Sequence, residues 1–317
     1  MRLIAAPLVL IALLASSYAQ SQADFEKAKG LYQEGNAANS RGDFAVAVKK
    51  YTEAISVYPF IPEVYFNRAV ANRSLGNFAQ AAKDLEALLD LKPNLPLPLW
   101  ADFYHVWGLV LQEKGDYELA LDRLDKALQL SPDNATIYYG RANTYFFLKR
   151  HDEAMRDYNK SIEMKPQSTA FYNRARLFNE LGQLEKAKED YSKSIELDPK
   201  YAEAYSNRGL IYQKGRQLDL ALKDFNTALS LSNGDAVYHF NRGNVYLMKL
   251  QYALAVADYS KAIEVYPKWA LAYKRRSEAN KKLGRTKLSE ADALKAKDLE
   301  KENFNPVTKT FIGNQSN

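Results

Sequence analysis

One five-residue phrase recurs along this chain and narrows what it can fold into. It reads Tyr65-Phe66-Asn67-Arg68-Ala69, then Phe171-Tyr172-Asn173-Arg174-Ala175, Tyr205-Ser206-Asn207-Arg208-Gly209 and His239-Phe240-Asn241-Arg242-Gly243. The last three copies step by 34 residues, and so do Gly42 and Gly76, Pro59 and Pro93, and Pro132 and Pro166. A fixed period of this length belongs to stacked supersecondary units that bury one another's apolar faces. It displaces the two or so globular domains that a 317-residue chain would otherwise suggest.

On this ruler the units begin at Ala28, Pro62, Ala101, Ala135, Ser168, Ala202, Ala236 and Ala270. Position eight holds Gly35, Ala69, Gly108, Ala142, Ala175, Gly209, Gly243 and Ser277, and position twenty holds alanine in seven units and Ser289 in the last. Position twenty-four is Tyr51, Leu85, Leu124, Tyr158, Tyr191, Phe225, Tyr259 and then Ala293. Two small residues let two helices approach closely, and the large one fills the space between neighbouring pairs. Apolar residues recur every three to four positions, which is helical spacing. Each unit reads as a first helix ending near a glycine such as Gly42, Gly76, Gly115 or Gly182, and a second stopped by a proline such as Pro59, Pro93, Pro132, Pro166, Pro199 or Pro267.

This pattern of small, small, aromatic and proline residues resembles the tetratricopeptide repeat family, over residues 28 to about 302. The resemblance implies an all-α fold, a right-handed α-solenoid of about eight helix-turn-helix hairpins over residues 20–302. The repeats are 28–61, 62–95, 101–134, 135–167, 168–201, 202–235, 236–269 and 270–302. Pro96 to Trp100 are inserted between the second and third, and are expected to bend or offset the stack. The eighth repeat, rich in Lys and Glu, is expected to cap the array; Ser21 to Lys27 to begin the first helix; and residues 303–317 to form a flexible tail.

Two charged columns run through the repeats. Position seven carries Arg68, Arg141, Arg174, Arg208, Arg242 and Arg276; position twenty-three of the same six repeats carries Asp84, Asp157, Asp190, Asp224, Asp258 and Asp292. In repeat one the pair is Glu34 and Lys50, with signs exchanged, and in repeat three it is Trp107 and Arg123. Such coordinated change within one chain implies that the two helices of a hairpin touch through this pair. These arginines are therefore read as structural, not as ligand-binding.

The resemblance places positions two, five, nine and twelve of each first helix on a concave wall. Position five is Tyr32, Phe66, His105, Tyr139, Tyr172, Ser206 and Phe240; position nine is Asn36, Val70, Leu109, Asn143, Arg176, Leu210 and Asn244. Position twelve adds Asn39, Arg73, Gln112, Phe146, Asn179, Gln213 and Leu247, and position six, beside the groove, adds Asn67, Asn173, Asn207 and Asn241. Carboxamides both donate and accept, and aromatics give contact area at low entropy cost, so the wall suits a protein or peptide partner. The position-six asparagines have a second reading, in which they pair with neighbouring helices. Some relatives clamp a C-terminal carboxylate with lysines. The matching places here carry Tyr32, Glu63 and Asp102, or Tyr139, Thr169 and Glu203, so that mode is not expected.

No catalytic constellation appears. His105, His151 and His239 have no metal-ligand spacing, and there is neither a phosphate-cradling glycine loop nor a Gly-x-Ser-x-Gly elbow. The chain is read as non-enzymatic, with no cofactor and no metal. Arg2, the apolar run Leu3 to Ala15 and the small-x-small site Ser17-Tyr18-Ala19 read as a signal peptide over residues 1–19, cleaved after Ala19. That run is short for a bilayer span, which needs ~20 residues, and no other stretch could cross, so no membrane span is expected after cleavage. A retained anchor is the alternative. The implied location is periplasmic or secreted. The absence of cysteine leaves stability to packing alone.

Signal removal leaves 43 cationic and 38 acidic side chains, a net +5, read as mild and spread along the chain; no nucleic-acid partner is implied. Sequons stand at Asn72, Asn134, Asn159 and Asn314, with Asn72 at an inward helix position and Asn134 at a turn. Three functions fit: a scaffold holding a partner polypeptide in the groove, a chaperone-like holder of transiting or unfolded chains, and a glycan-binding assembly factor that stacks sugars on the tyrosines.

Overall fold

The computed structural model describes residues 5–300 apart from 92, 94, 95 and 233, with side chains from residue 21 onward. Among the described residues there are sixteen helices and no strand, an all-α repeat solenoid. The first helices of successive repeats are α1 (Ala5–Ser40), α3 (Pro62–Ser74), α5 (Leu97–Lys114), α7 (Ala135–Phe147), α9 (Ser168–Glu180), α11 (Ala202–Lys214), α13 (Ala236–Met248) and α15 (Ala270–Lys282). The second helices are α2 (Phe44–Val57), α4 (Phe78–Asp90), α6 (Tyr117–Leu130), α8 (His151–Met164), α10 (Leu184–Leu197), α12 (Leu218–Leu231), α14 (Tyr252–Val265) and α16 (Thr286–Glu300). The chain divides into two compact units, one up to Leu148 and one from Lys149, so the division falls in the turn of the fourth repeat.

Few helices start on a side-chain cap. Asn134 accepts from the Thr136 amide, and Asp235 accepts from those of Val237 and Tyr238; the other described starts rest on packing. The turn between the two helices of a repeat is more uniform. Position fifteen is left-handed in every repeat, and the next amide reaches back five residues, as from Asp43 to the Ala38 carbonyl (3.0 Å) and from Gln217 to that of Tyr212 (2.9 Å). That closes the last turn of the first helix. Glycine fills the position at 42, 76, 115, 182 and 284, but Lys149, Arg216 and Leu250 adopt it at φ 60°, 55° and 62°.

The small-residue columns do what their spacing implies. A Cβ on Gly35 would lie 2.4 Å from the Tyr51 ring, and one on Gly108 would lie 2.6 Å from Leu124 Cγ. The position-twenty-four side chains Tyr51, Leu85, Leu124, Tyr191, Phe225 and Tyr259 are buried beneath them. In repeat eight the small pair is Ser277 and Ser289, and the Ser277 hydroxyl donates to the Ser289 carbonyl at 2.7 Å.

Three expectations need correction or limits. Most of the insertion is helical. Leu97 to Trp100 form an extra opening turn of α5, in which Trp100 stacks on Tyr104 (5.8 Å) and meets Phe103 edge-on (5.3 Å). The first helix begins at Ala5, not near Ser21, so the expected signal segment is continuous in backbone with repeat one; residues 1–4 and the expected tail, 303–317, lie outside the described residues. Among the described residues, no helix is long and apolar enough to cross a membrane.

The charged columns meet. Arg68–Asp84, Arg174–Asp190, Arg208–Asp224, Arg242–Asp258 and Arg276–Asp292 are all two-pronged, Nε and a terminal nitrogen donating to the two carboxylate oxygens at 2.7–3.0 Å. Arg141 belongs to the first unit and Asp157 to the second. In repeat one Lys50 meets Glu34 at 2.7 Å. In repeat three the Arg123 guanidinium lies 4.1 Å from the centre of the Trp107 ring, a cation–π contact in the same slot.

The remaining arm of each arginine does something the sequence reading missed. It reaches back to position twenty-five of the preceding repeat, as Arg68 to Thr52, Arg141 to Asp125, Arg174 to Asn159, Arg208 to Ser192, Arg242 to Asn226 and Arg276 to Ser260, at 2.7–3.1 Å. Each arginine whose three contacts are seen therefore joins three helices. The signal was an unbroken polar column, Thr52, Glu86, Asp125, Asn159, Ser192, Asn226 and Ser260.

Candidate functional site

In the first unit, α1, α3, α5 and α7 touch in succession and bring the expected wall residues onto neighbouring turns. Tyr32, Asn36 and Asn67 form one cluster. Asn67 Nδ2 donates to the Tyr32 hydroxyl (3.0 Å) and to Asn36 Oδ1 (2.8 Å), which also accepts from the Tyr51 hydroxyl (2.8 Å). Burial, with the Tyr32 phenol beside it, pushes the Tyr51 hydroxyl up to about 12. Phe66 is half-buried against the core around Leu85 and Trp107.

Arg73 is not an open groove cation. Its Nε and NH2 donate to Glu113 of α5 at 2.8 and 2.6 Å. Burial of Glu113 holds its carboxyl above the ordinary range even though Arg73 pulls it down. His105 is lowered to about 4 by burial and then by the Arg73 charge. Tyr139 and Asn143 are half-buried on α7, and each makes polar or ring contacts of its own.

In the second unit Asn207 Nδ2 donates to the Tyr172 hydroxyl (3.0 Å), repeating the Asn67–Tyr32 rung, and Arg176 donates to Asn173 Oδ1 (3.1 Å). Asn244 accepts from the Tyr259 hydroxyl at 2.9 Å. Phe240 and Asn241 are corrections to the expected wall: they are 5% and 7% exposed, too buried to meet a guest. The cause is Trp269, the residue before α15, which is fully buried with its ring 4.3 Å from Phe240. Tyr201, at the same register before α11, lies 4.7 Å from Tyr172. Aromatics at 201 and 269, one period apart twice over, were the available signal.

The pairing reading holds for two of the position-six asparagines. Asn67 and Asn207 pair with the preceding repeat, yet the Oδ1 of each has no partner among the described residues and is not buried. Asn36 and Asn244 are held through Oδ1, and their Nδ2 groups are likewise open. Four carboxamides are thus fixed at one end and available at the other, two as acceptors and two as donors. Among the described residues no group of three or more His, Asp or Glu could hold a metal ion. Asn72 is buried and donates to Asp84 (3.2 Å), whereas Asn134 caps α7 at the surface.

Family models described as tetratricopeptide repeat match residues 32–96, 135–168, 202–235 and 236–268, and one described as TPR repeat matches 108–149 and 175–215. The chain is a tetratricopeptide-repeat protein. It is similar to small glutamine-rich tetratricopeptide repeat-containing protein 2 of Saccharomyces cerevisiae, 37% identical over 110 residues, or 35% of this chain and 30% of that one. The Hsp70-Hsp90 organizing protein of Triticum aestivum is 34% identical over 121 residues, 38% of this chain and 19% of that one. The chain thus spans about a third or less of these curated relatives. Among solved structures, the pilF protein of Pseudomonas aeruginosa aligns with a TM-score of 0.59 at 19% identity, covering 64% of this chain and 93% of its own; the likeness is one of fold.

Proposed function

We propose that this tetratricopeptide-repeat protein is a non-enzymatic scaffold that holds a partner polypeptide on the faces of its first helices, outside the cytoplasm. The observation that carries this reading is the set of half-satisfied carboxamides, Asn36, Asn67, Asn207 and Asn244. Tyrosine hydroxyls or a neighbouring amide fix their orientation before any guest arrives, which reduces the ordering cost of binding. An extended backbone offers the complementary alternation of N–H and C=O groups. The names of the relatives support a role in handling other proteins: one is called an organizing protein for two heat-shock proteins. The apolar start and the Ser17-Tyr18-Ala19 site support export.

The test is capture of partners from the extracytoplasmic fraction with the full chain and with Tyr139→Ala and Tyr172→Ala variants. One folded partner at equal stoichiometry, lost from the variants, supports the scaffold. Indiscriminate capture of denatured chains selects the holder, and binding to isolated glycans selects the glycan reading. Equal capture by all three baits refutes the groove. The N-terminal residue of the exported chain checks the location: Gln20 is expected.

A further inference from the structure

The chain's formal net charge of +6 is not spread along it. Residues 268–287 contain eight Lys or Arg and one Glu, a net +7, so everything else sums to −1. This segment is α15, its flanking turns and the first two residues of α16. Lys274 and Lys281 occupy positions five and twelve of the repeat, where α9 has Tyr172 and Asn179 and α11 has Ser206 and Gln213. Arg275 and Lys282 are also seven residues apart, so the four cations form two adjacent i, i+7 pairs along one helix face. All four are exposed.

Internal acids do not absorb this charge. Arg275 meets Glu278 at 3.0 Å, and Lys274 lies 3.9 Å from Glu300. Lys281, Lys282 and Arg285 have no acidic partner among the described residues, while Arg276 points inward to Asp292 and belongs to the structural ladder.

We infer that the first-helix face of the second unit ends in a cationic landing, Lys274, Arg275, Lys281 and Lys282, that receives an acidic stretch of the partner polypeptide. This rests on the peptide-holding reading above and adds a chemistry to it. Lys274 and Lys281 occupy the register held by Tyr172 and Asn179 in α9 and by Ser206 and Gln213 in α11, and α15 touches α13, so a chain running along that face meets the landing directly. A lipid surface fits less well. A membrane-binding helix needs an apolar side to insert, whereas the apolar side of α15, with Ala272 and Ala279, is buried in the array.

The test uses the full chain and two labelled peptides, an oligo-glutamate and its oligo-glutamine counterpart. The landing variant is Lys274→Gln with Lys281→Gln and Lys282→Gln. A control of equal charge change is Lys186→Gln with Lys188→Gln and Lys193→Gln on α10. Oligo-glutamate is expected to bind, oligo-glutamine not, and the landing variant to lose about tenfold in affinity while the control stays within about twofold. Circular dichroism and the urea midpoint should not move, because the replaced side chains are exposed. Equal binding by wild type and landing variant overturns the inference. So does an equal loss in the control, or binding only to phosphatidylserine vesicles. If the native partner is lost on Tyr172→Ala but kept by the landing variant, the landing fails and the scaffold stands; if neither change releases it, the scaffold reading fails too.

Discussion

Replacing Arg208 by alanine asks what the ladder is worth. Arg208 holds Asp224 with two charge-assisted bonds, 2.9 and 2.8 Å, and Ser192 of the preceding repeat with a third, 3.0 Å. Its side chain is 17% exposed and that of Asp224 is 4% exposed. The truncation therefore strands a carboxylate that water barely reaches, and breaking a buried pair in this way costs ~3–5 kcal/mol. Asp224→Ala should cost less, ~1.5–3 kcal/mol, because the stranded arginine keeps Ser192 and the rings of Tyr205 and Tyr212, 5.7 and 5.8 Å from its guanidinium carbon. The double variant should cost well under the sum, with a coupling of ~2 kcal/mol. Arg208→Glu with Asp224→Lys copies the native Glu34–Lys50 pair and should recover part of the loss, since an ammonium cannot reproduce the fork. Urea titration by circular dichroism measures the total. Hydrogen exchange in α11 and α12 localises it, which matters in an array that need not unfold in one step. A loss below ~1 kcal/mol for Arg208→Ala, the range of exposed pairs, would refute the argument.

Two further outcomes follow from particular side chains. His105 has its folded pKa lowered from 6.5 to about 4, so between those values the unfolded chain binds more protons; its contribution is complete above 6.5 and is lost as pH falls toward 4, at most ~3 kcal/mol. His105→Phe should flatten that acid-side decline in the urea midpoint, and an unchanged slope would contradict the assignment. Leu250 holds a left-handed backbone at φ 62° with a side chain 69% exposed, so Leu250→Gly should stabilise by ~0.5–1 kcal/mol in thermal melts, while Gly182→Ala at the same register should destabilise.

The fold was legible because one chain holds eight versions of one solution. Comparing repeats revealed that Arg208 and Asp224 touch, since Glu34 with Lys50 and Trp107 with Arg123 changed together. The same comparison could not say that Trp107 and Arg123 stack, because a cation over a ring and two unrelated residues look alike in sequence. The groove was less legible. Phe240 sits at the same repeat position as Tyr172, and nothing at that position signals that a tryptophan 29 residues later covers it. Averaging hid the charge: a mild total concealed one segment, residues 268–287, that outweighs the rest of the chain. The insertion at Pro96 shows in sequence only as extra residues between repeats; that Leu97 to Trp100 continue the helical register into α5 was not legible there.

Trp107 has one more effect. At every other described junction between repeats a guanidinium ties the incoming helix to the one behind it, but an indole has no arm to send back toward Glu86. The second and third repeats are joined instead by the Arg73–Glu113 fork and by a shared core, Ala69, Leu85 and Leu88 against Phe103 and Trp107. The array thus carries a fault line next to its start. Take away Arg73, and the two leading hairpins are left to hold α5 by that apolar core alone.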